Sequence, residues 1–300
     1  MAEAAQMSDF STYLDERCQE VDAALDRFLP KEETAPETLH KAMRYSIFAG
    51  GKRLRPVLTL AAAEACGGRA KAAMPAACAV EILHTYTLVH DDLPCMDDDD
   101  LRRGRPTSHK VYGEGVAVLA GDALLTEAMS CLAQTEPSAL YRVRDYIIEL
   151  CEMTGSKNLI GGQVMDLEGE GRDLTVDELR AIHNAKTAAL LTSSIRLGAM
   201  SAGANNEKLN ALTKFGQALG LAFQVIDDIL DVTASTEKLG KTAGKDENVS
   251  KATYPAVIGL EAARQEAKDL TTEALAQLEI FGEKGERLSQ IAHYLLDRDY

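Results

Sequence analysis

The sequence predicts an all-α protein, a single domain over residues 1–300 built from ten or more helices, and three observations predict it. Strand-like alternation of Val, Ile, Thr and aromatic residues is nearly absent, while Ala, Leu, Glu and Lys dominate. Apolar residues recur at helical spacing, and they make up 46% of the 300 residues, ample for a packed core. No Pro- or Ser-rich linker and no short-period repeat divides the chain.

The helices can be placed in order. Residues 37–49 set Leu39, Met43 and Ile47 at four-residue steps, with Ala42 and Ser46 beside them, which makes one helix face. Residues 71–92, 115–134, 139–161, 177–200, 206–232 and 252–279 carry the same signal. Breaks are expected at Gly67-Gly68, Pro94, Gly104, Pro137, Gly161-Gly162, Gly169–Gly171, Gly203 and residues 234–250. Segment 185–200 is apolar nearly all round, so it is expected inside a central bundle or against a partner. A helical homodimer interface is expected on the same ground.

Charge and cysteine usage narrow the function. The net charge is −15 and the pI about 4.9, which argues against nucleic acid as a partner because phosphate-backbone binding needs a basic face. An acidic protein that handles anionic substrates needs metal ions to bridge like charges. The six cysteines (Cys18, Cys66, Cys78, Cys95, Cys131, Cys151) are scattered without a C-x-x-C pair, so reduced thiols in a cytosol-like compartment are expected rather than disulfides or zinc. The first twenty residues show no basic region followed by an apolar one, so no signal peptide is expected. No stretch of about 18 uncharged apolar residues is evident, so no transmembrane segment is expected.

The most informative stretch is HTYTLVHDDLPCMDDDDLRRGRPTSHK, residues 84–110, with Asp91, Asp92, Asp97, Asp98, Asp99 and Asp100. A block of like charge is usually a solvated tail. This one lies mid-chain between an apolar helix and an arginine pair, and its oxygens are hard ligands suited to Mg²⁺. On a straight helix Asp91 and Asp97 would sit about 240° apart. Pro94 clashes with the helix before it, so residues 93–96 are expected to bulge and return Asp97 toward Asp91. A second cluster, FQVIDDILD at 223–231, sets Asp227 and Asp231 four apart on one helix face, with Asp228 flanking and Gln224 on the same side. Repeated acidic patches on otherwise apolar helices are costly unless a cation is bound.

Basic residues accompany both clusters. GGKRLRP supplies Lys52, Arg53 and Arg55; Arg102 and Arg103 follow the first acidic run; Lys186 and Thr187 stand in HNAKT; Lys241, Lys245 and Lys251 lie within or just after KLGKTAGKDENVSK. Together they suit diphosphate, which Arg meets as a fork and Lys as a point charge. No G-x-x-x-x-G-K-[ST] loop occurs, so a nucleoside triphosphate is not indicated.

With these motifs in hand, the chain resembles the trans (head-to-tail) isoprenyl diphosphate synthases, of the bacterial farnesyl type and its plant geranylgeranyl relatives. DDLPCMDDDDLRRGRPT resembles the longer form of that family's first aspartate-rich motif and FQVIDDILD its second, with GGKRLRP, HNAKT and GKTAGKD…SKATYP in the family's order from about residue 35 to 260. The resemblance implies the isoprenoid synthase fold, a bundle around a central active-site cavity. It implies that Asp91, Asp97 and Asp227, supported by Asp92, Asp228 and Asp231, bind three Mg²⁺ ions (Mn²⁺ able to substitute) on the allylic diphosphate. Arg102, Lys186 and Lys241 would contact that diphosphate. Lys52, Arg55, His84 and Arg103 would hold isopentenyl diphosphate. Thr187 and Gln224 would lie near the allylic carbon, and Lys251 would clamp the diphosphate. The implied activity is condensation of isopentenyl diphosphate with dimethylallyl or geranyl diphosphate, in the cytoplasm.

Product length follows from the helix below Asp91. Thr87 lies under it at i−4, and the family places Tyr86 on the pocket wall, where an aromatic resembles farnesyl (C15) synthases more than plant geranylgeranyl ones. Farnesyl diphosphate is therefore the expected product, with C20 or C10 as alternatives. Three other classes are weaker. A terpene cyclase would carry one aspartate motif and no second diphosphate site. A non-catalytic subunit of a heteromeric synthase would have lost a cluster. A generic acidic cation binder would not need the basic residues in register.

Overall fold

The computed structural model describes residues 2–233 and 252–296, which form more than ten helices and one two-residue antiparallel ladder, β1 (Leu101–Arg102) with β2 (Arg105–Pro106). The helices are α1 (Ala2–Phe28), α2 (Glu37–Ile47), α3 (Leu54–Ala65), α4 (Ala70–Asp91), α5 (Ser108–Tyr112), α6 (Glu114–Leu132), α7 (Val143–Thr154), α8 (Leu159–Gly169), α9 (Val176–His183), α10 (Ala189–Ser201), α11 (Asn206–Thr233), α12 (Tyr254–Ile258), α13 (Leu260–Ala276) and α14 (Glu286–Leu296). The all-α expectation holds.

The core is built on α10. Leu190, Leu191, Ile195 and Leu197 are all buried, as the all-round apolar pattern requires. It packs on α3, α4 and α11, and α4 packs in turn along α6. Backbones approach closely where side chains are small: a Cβ on Gly198 of α10 would lie 2.8 Å from the Thr59 carbonyl carbon of α3. A buried charge also serves this core. Arg53, 4% exposed, donates to Glu81 Oε1 and Asp22 Oδ1, both at 2.8 Å, and to the Ile47 carbonyl oxygen at 2.7 Å.

Several boundaries differ from expectation. The predicted helix 139–161 is two helices, and α8 runs straight through Gly161-Gly162, where a break was expected. These glycines lie against other chain segments, so their role is clearance rather than termination. The predicted helix 177–200 contains a π-helical turn, Asn184–Ala188, between α9 and α10. Pro94 does not kink α4; the helix has already ended at Asp91. Contrary to the sequence scan, α4 and α6 are long and apolar enough to cross a membrane by length and composition; 67% of that span in α4 and 39% in α6 is buried inside the protein.

Candidate active site

The first aspartate cluster is a tight return at the end of α4. Asp97 N–H donates to the Asp91 carbonyl oxygen at 2.9 Å, Asp98 N–H to that of Leu93 at 3.1 Å, and Asp99 N–H to that of Asp92 at 3.3 Å. Asp98 takes a left-handed conformation, φ 47°, to make the corner. The bulge expected at 93–96 is therefore present, and it brings Asp97 back onto Asp91. Asp92 is different: it is buried and accepts from Arg102 Nε at 3.0 Å and Nη2 at 2.5 Å. This carboxylate orients Arg102, a role other than the supporting metal ligation expected of it.

Opposite stands the π turn. Such a turn carries one residue more than an α turn and often marks a functional site. Here it presents Lys186 and Thr187 side by side to one cavity, while Ala185 and Ala188 stay buried. Lys186 Nζ pairs with Asp166 Oδ2 of α8 at 2.5 Å and lies near enough to Asp91 to pull its carboxyl pKa down. Thr187 Oγ1 donates to Gln224 Oε1 of α11 at 2.8 Å. Asp227 follows Gln224 by three residues and so sits one turn on along the same side of α11, with Asp231 one turn beyond. The Lys186–Thr187 turn thus neighbours Asp91 through Lys186 and meets α11 through Gln224, one turn before Asp227.

Electrostatics fit that reading. Burial is the main force that lifts Asp91 from 3.8 to about 6; Lys186 opposes it, and Asp97 adds to it. Two carboxylates crowded into a partly dry site favour a cation between or beside them. At the other end of the cavity, burial and then neighbouring Arg103 lower Arg55, and burial with Arg55 and Arg103 holds His84 well below the usual histidine range, hence neutral. Arg103, at φ 54°, donates to the Gly50 carbonyl oxygen. A cluster of cations whose charges oppose one another is an anion site.

Between these ends lies a cavity of about 460 Å³, lined by Arg55, His84, Tyr86, Thr87, Asp91, Lys186 and Thr187 together with apolar groups of α4, α6, α8 and α10. Tyr86, 8% exposed, meets His90 edge-on at 5.3 Å between ring centroids, and His90 Nε2 sits 3.0 Å from the Val118 carbonyl oxygen of α6. Thr87 Oγ1 donates to the His84 carbonyl oxygen at 2.8 Å. A larger cleft of about 860 Å³ lies behind the π turn and takes in none of the residues picked out from the sequence.

Not every expected residue joins the cavity. Lys52 is exposed, with its Nζ 5.2 Å above the Tyr294 ring of α14. Lys241, Lys245 and Lys251 lie outside the described residues. Asp228, given a supporting metal role by the resemblance, is buried, and its Oδ2 accepts from Tyr254 N–H at 2.9 Å and lies 3.3 Å from His183 Nε2. Sequence reading missed the α8 contribution, Leu159, Ile160, Gln163, Val164, Leu167 and the Lys186 partner Asp166. Its signal was the apolar i, i+4 row Ile160–Val164 running on past the glycine pair.

The comparisons with known proteins agree with this geometry. The polyprenyl synthetase family model matches residues 36–292. The chain is 50% identical over 297 residues to the heterodimeric geranylgeranyl pyrophosphate synthase large subunit 1 of Arabidopsis thaliana, covering 97% of this chain and 80% of that one. It is 49% identical over 306 residues to a chloroplastic geranylgeranyl pyrophosphate synthase of Capsicum annuum, covering 99% and 82%. The crystal structure of an FPP/GFPP synthase from Zymomonas mobilis superposes with a TM-score of 0.86 at 34% identity, over 96% of this chain and 99% of that one. The chain belongs to the polyprenyl synthetase family.

Proposed function

We propose that this prenyltransferase elongates an allylic diphosphate with isopentenyl diphosphate, head to tail, and that its end product is geranylgeranyl (C20) diphosphate. The observation that carries the chemistry is the Lys186–Thr187 turn, which neighbours Asp91 and bonds Gln224 of the second motif, with Arg55 and His84 on the same apolar cavity and Arg103 beside them. In the reaction the allylic carbon–oxygen bond breaks and diphosphate leaves with the electron pair, a carbon–carbon bond forms from the double bond of isopentenyl diphosphate, and the resulting cation gives up a proton to the departed diphosphate. Arg102, pre-oriented by Asp92, and Lys186 hold the departing diphosphate. The Thr187 hydroxyl, whose proton is committed to Gln224, turns its oxygen lone pairs toward the developing cation. Neutral His84 with Arg55 and Arg103 holds the second diphosphate. Asp91, Asp97 and Asp227 would hold magnesium, which when bound would supply positive charge to the leaving group. The apolar walls exclude water that would capture the cation.

Product length is where the expectation moves. Most of the relatives near half identity, those of Arabidopsis thaliana and Capsicum annuum among them, are named geranylgeranyl synthases, which supports C20 over the C15 product expected from Tyr86. C15 stays as the second reading because Tyr86 does stand on the cavity wall. Turnover with Mg²⁺, labelled isopentenyl diphosphate and C5, C10 and C15 starters separates them. Extension of the C15 starter to C20 is expected; refusal of that starter with C15 formed from the C5 and C10 starters would establish C15, and no condensation at all would remove the enzymatic reading. Tyr86→Ala should lengthen the product of whichever length is found, and an unchanged distribution would show that Tyr86 is no floor.

The second diphosphate site gives a further prediction. A Cβ at Gly51, which also has φ +129°, would lie 2.5 Å from Arg103 Nη1. Gly51→Ala should therefore displace Arg103 and raise KM for isopentenyl diphosphate about tenfold, the loss of one charge-assisted hydrogen bond, with the allylic KM nearly unchanged. Equal rises in both constants would disconnect Arg103 from that substrate. We also infer a homodimer, since Leu119 of α6 and Met165 of α8 leave apolar surface exposed outside the cavity lining.

A further inference from the structure

We propose that Asp228 is a positioning residue that sets the π turn, and so Lys186 and Thr187, against α11. This rests on the prenyltransferase reading above. Adjacent residues on a helix point about 100° apart, so Asp227 and Asp228 meet different surroundings. Asp227 shares the Gln224 side of α11, whereas Asp228 is 8% exposed and points into the protein. There a single oxygen, Oδ2, accepts the Tyr254 backbone N–H at 2.9 Å and meets His183 Nε2 at 3.3 Å. His183 is itself 6% exposed and stacks on the Tyr254 ring, centroids 5.6 Å apart at 15°. These three groups come from three elements: α11, the last residue of α9 and the first of α12.

What makes this knot more than packing is where His183 stands. The next residue, Asn184, begins the π turn, and the reacting side chains follow two and three residues later. A π turn is strained relative to an α turn and persists only where its surroundings hold it. Three restraints hold this one. Asp228 fixes its start through His183, Asp166 of α8 pairs with Lys186, and Gln224 of α11 bonds Thr187. Loss of the first frees the turn to relax toward α-helical register. That change would rotate Lys186 and Thr187 away from Asp91 and Gln224 without touching a metal ligand.

The chemistry needs one neutral or charged oxygen at Oδ2, not a charge, and this separates positioning from ligation. Asp228→Asn keeps an oxygen that can accept from both partners; Asp228→Leu keeps the volume and loses it. The expected result in the Mg²⁺-dependent assay is kcat within about threefold of the parent for Asp228→Asn. For Asp228→Leu and His183→Leu, kcat should fall roughly 10- to 100-fold, with half-saturating Mg²⁺ within about twofold throughout. Hydrogen–deuterium exchange without substrate reads the same device independently of turnover: peptides spanning residues 183–190 should lose protection in Asp228→Leu and keep it in Asp228→Asn. An Asp228→Asn protein as impaired as Asp228→Leu and needing tenfold more Mg²⁺ would make Asp228 a metal ligand and overturn the proposal. So would unchanged exchange at 183–190 in Asp228→Leu. Failure of the parent protein to condense substrates would instead count against the proposed function, with the exchange result still deciding the device.

Discussion

Asp91→Asn is expected to cut kcat by about 10²–10³ while raising the stability of the Mg²⁺-free protein. The two effects have one cause. The Asp91 carboxyl is lifted from 3.8 to about 6, chiefly by burial, so its folded value exceeds its unfolded one. Its ionised form therefore costs stability, and the cost is fully present above about pH 6 and fades as the pH falls toward 4. Allowing for its partial exposure, the amide should return about 1–3 kcal/mol at pH 7, a rise in Tm of several degrees. The parent protein should show the same pH-linkage: below about pH 6, half-saturating Mg²⁺ should climb close to tenfold per pH unit as Asp91 takes up a proton. Thermal melts in chelator at pH 7 and pH 5, beside the turnover assay, check both halves. A variant with parental Tm at pH 7 would show that the site stores no such cost.

The second large effect is expected from a methyl group. On Gly162 a Cβ would fall 2.8 Å from both the Ala185 carbonyl carbon and Lys186 Cα, so α8 and the π turn meet backbone to backbone. Neither side is a flexible side-chain tip that can step aside. Gly162→Ala should cost about 1–3 kcal/mol of overpacking strain. It should also move the turn by a fraction of an ångström, and misplacements approaching 1 Å at a reacting centre cost about 10²-fold. We expect kcat down roughly 10- to 100-fold, and still down when assayed cool, where the protein remains folded. Activity within twofold of the parent under those conditions would mean that the turn tolerates displacement and that its register is not what catalysis depends on.

How much of this was legible in the sequence can be followed residue by residue. The all-α class and the return of Asp97 to Asp91 were readable, because each follows from local spacing, whereas Thr187 and Gln224 were brought to one neighbourhood only by the family resemblance. Proline chemistry and helical periodicity act over a few residues, and the chain states them directly. The side each acid faces was not readable. Asp92 and Asp228 each follow a site carboxylate and carry the same formal charge, yet one orients Arg102 and the other holds Tyr254 and His183. That division depends on which neighbours surround α4 and α11, and those neighbours lie from 10 to 45 residues away along the chain.

The sequence by itself determined the helical class, and it displayed the two acidic clusters and the basic set from which a diphosphate site is proposed, since residue type and spacing suffice for these. Tertiary structure alone decided that Gly161-Gly162 sits inside a helix, that Lys186 rests on Asp166, and that the turn bearing it is π-helical. The physical reason is that a glycine, a lysine or a helical turn has several states of similar local energy. Close packing against another element then selects one, at a cost or gain of a few kcal/mol that no short stretch of sequence contains.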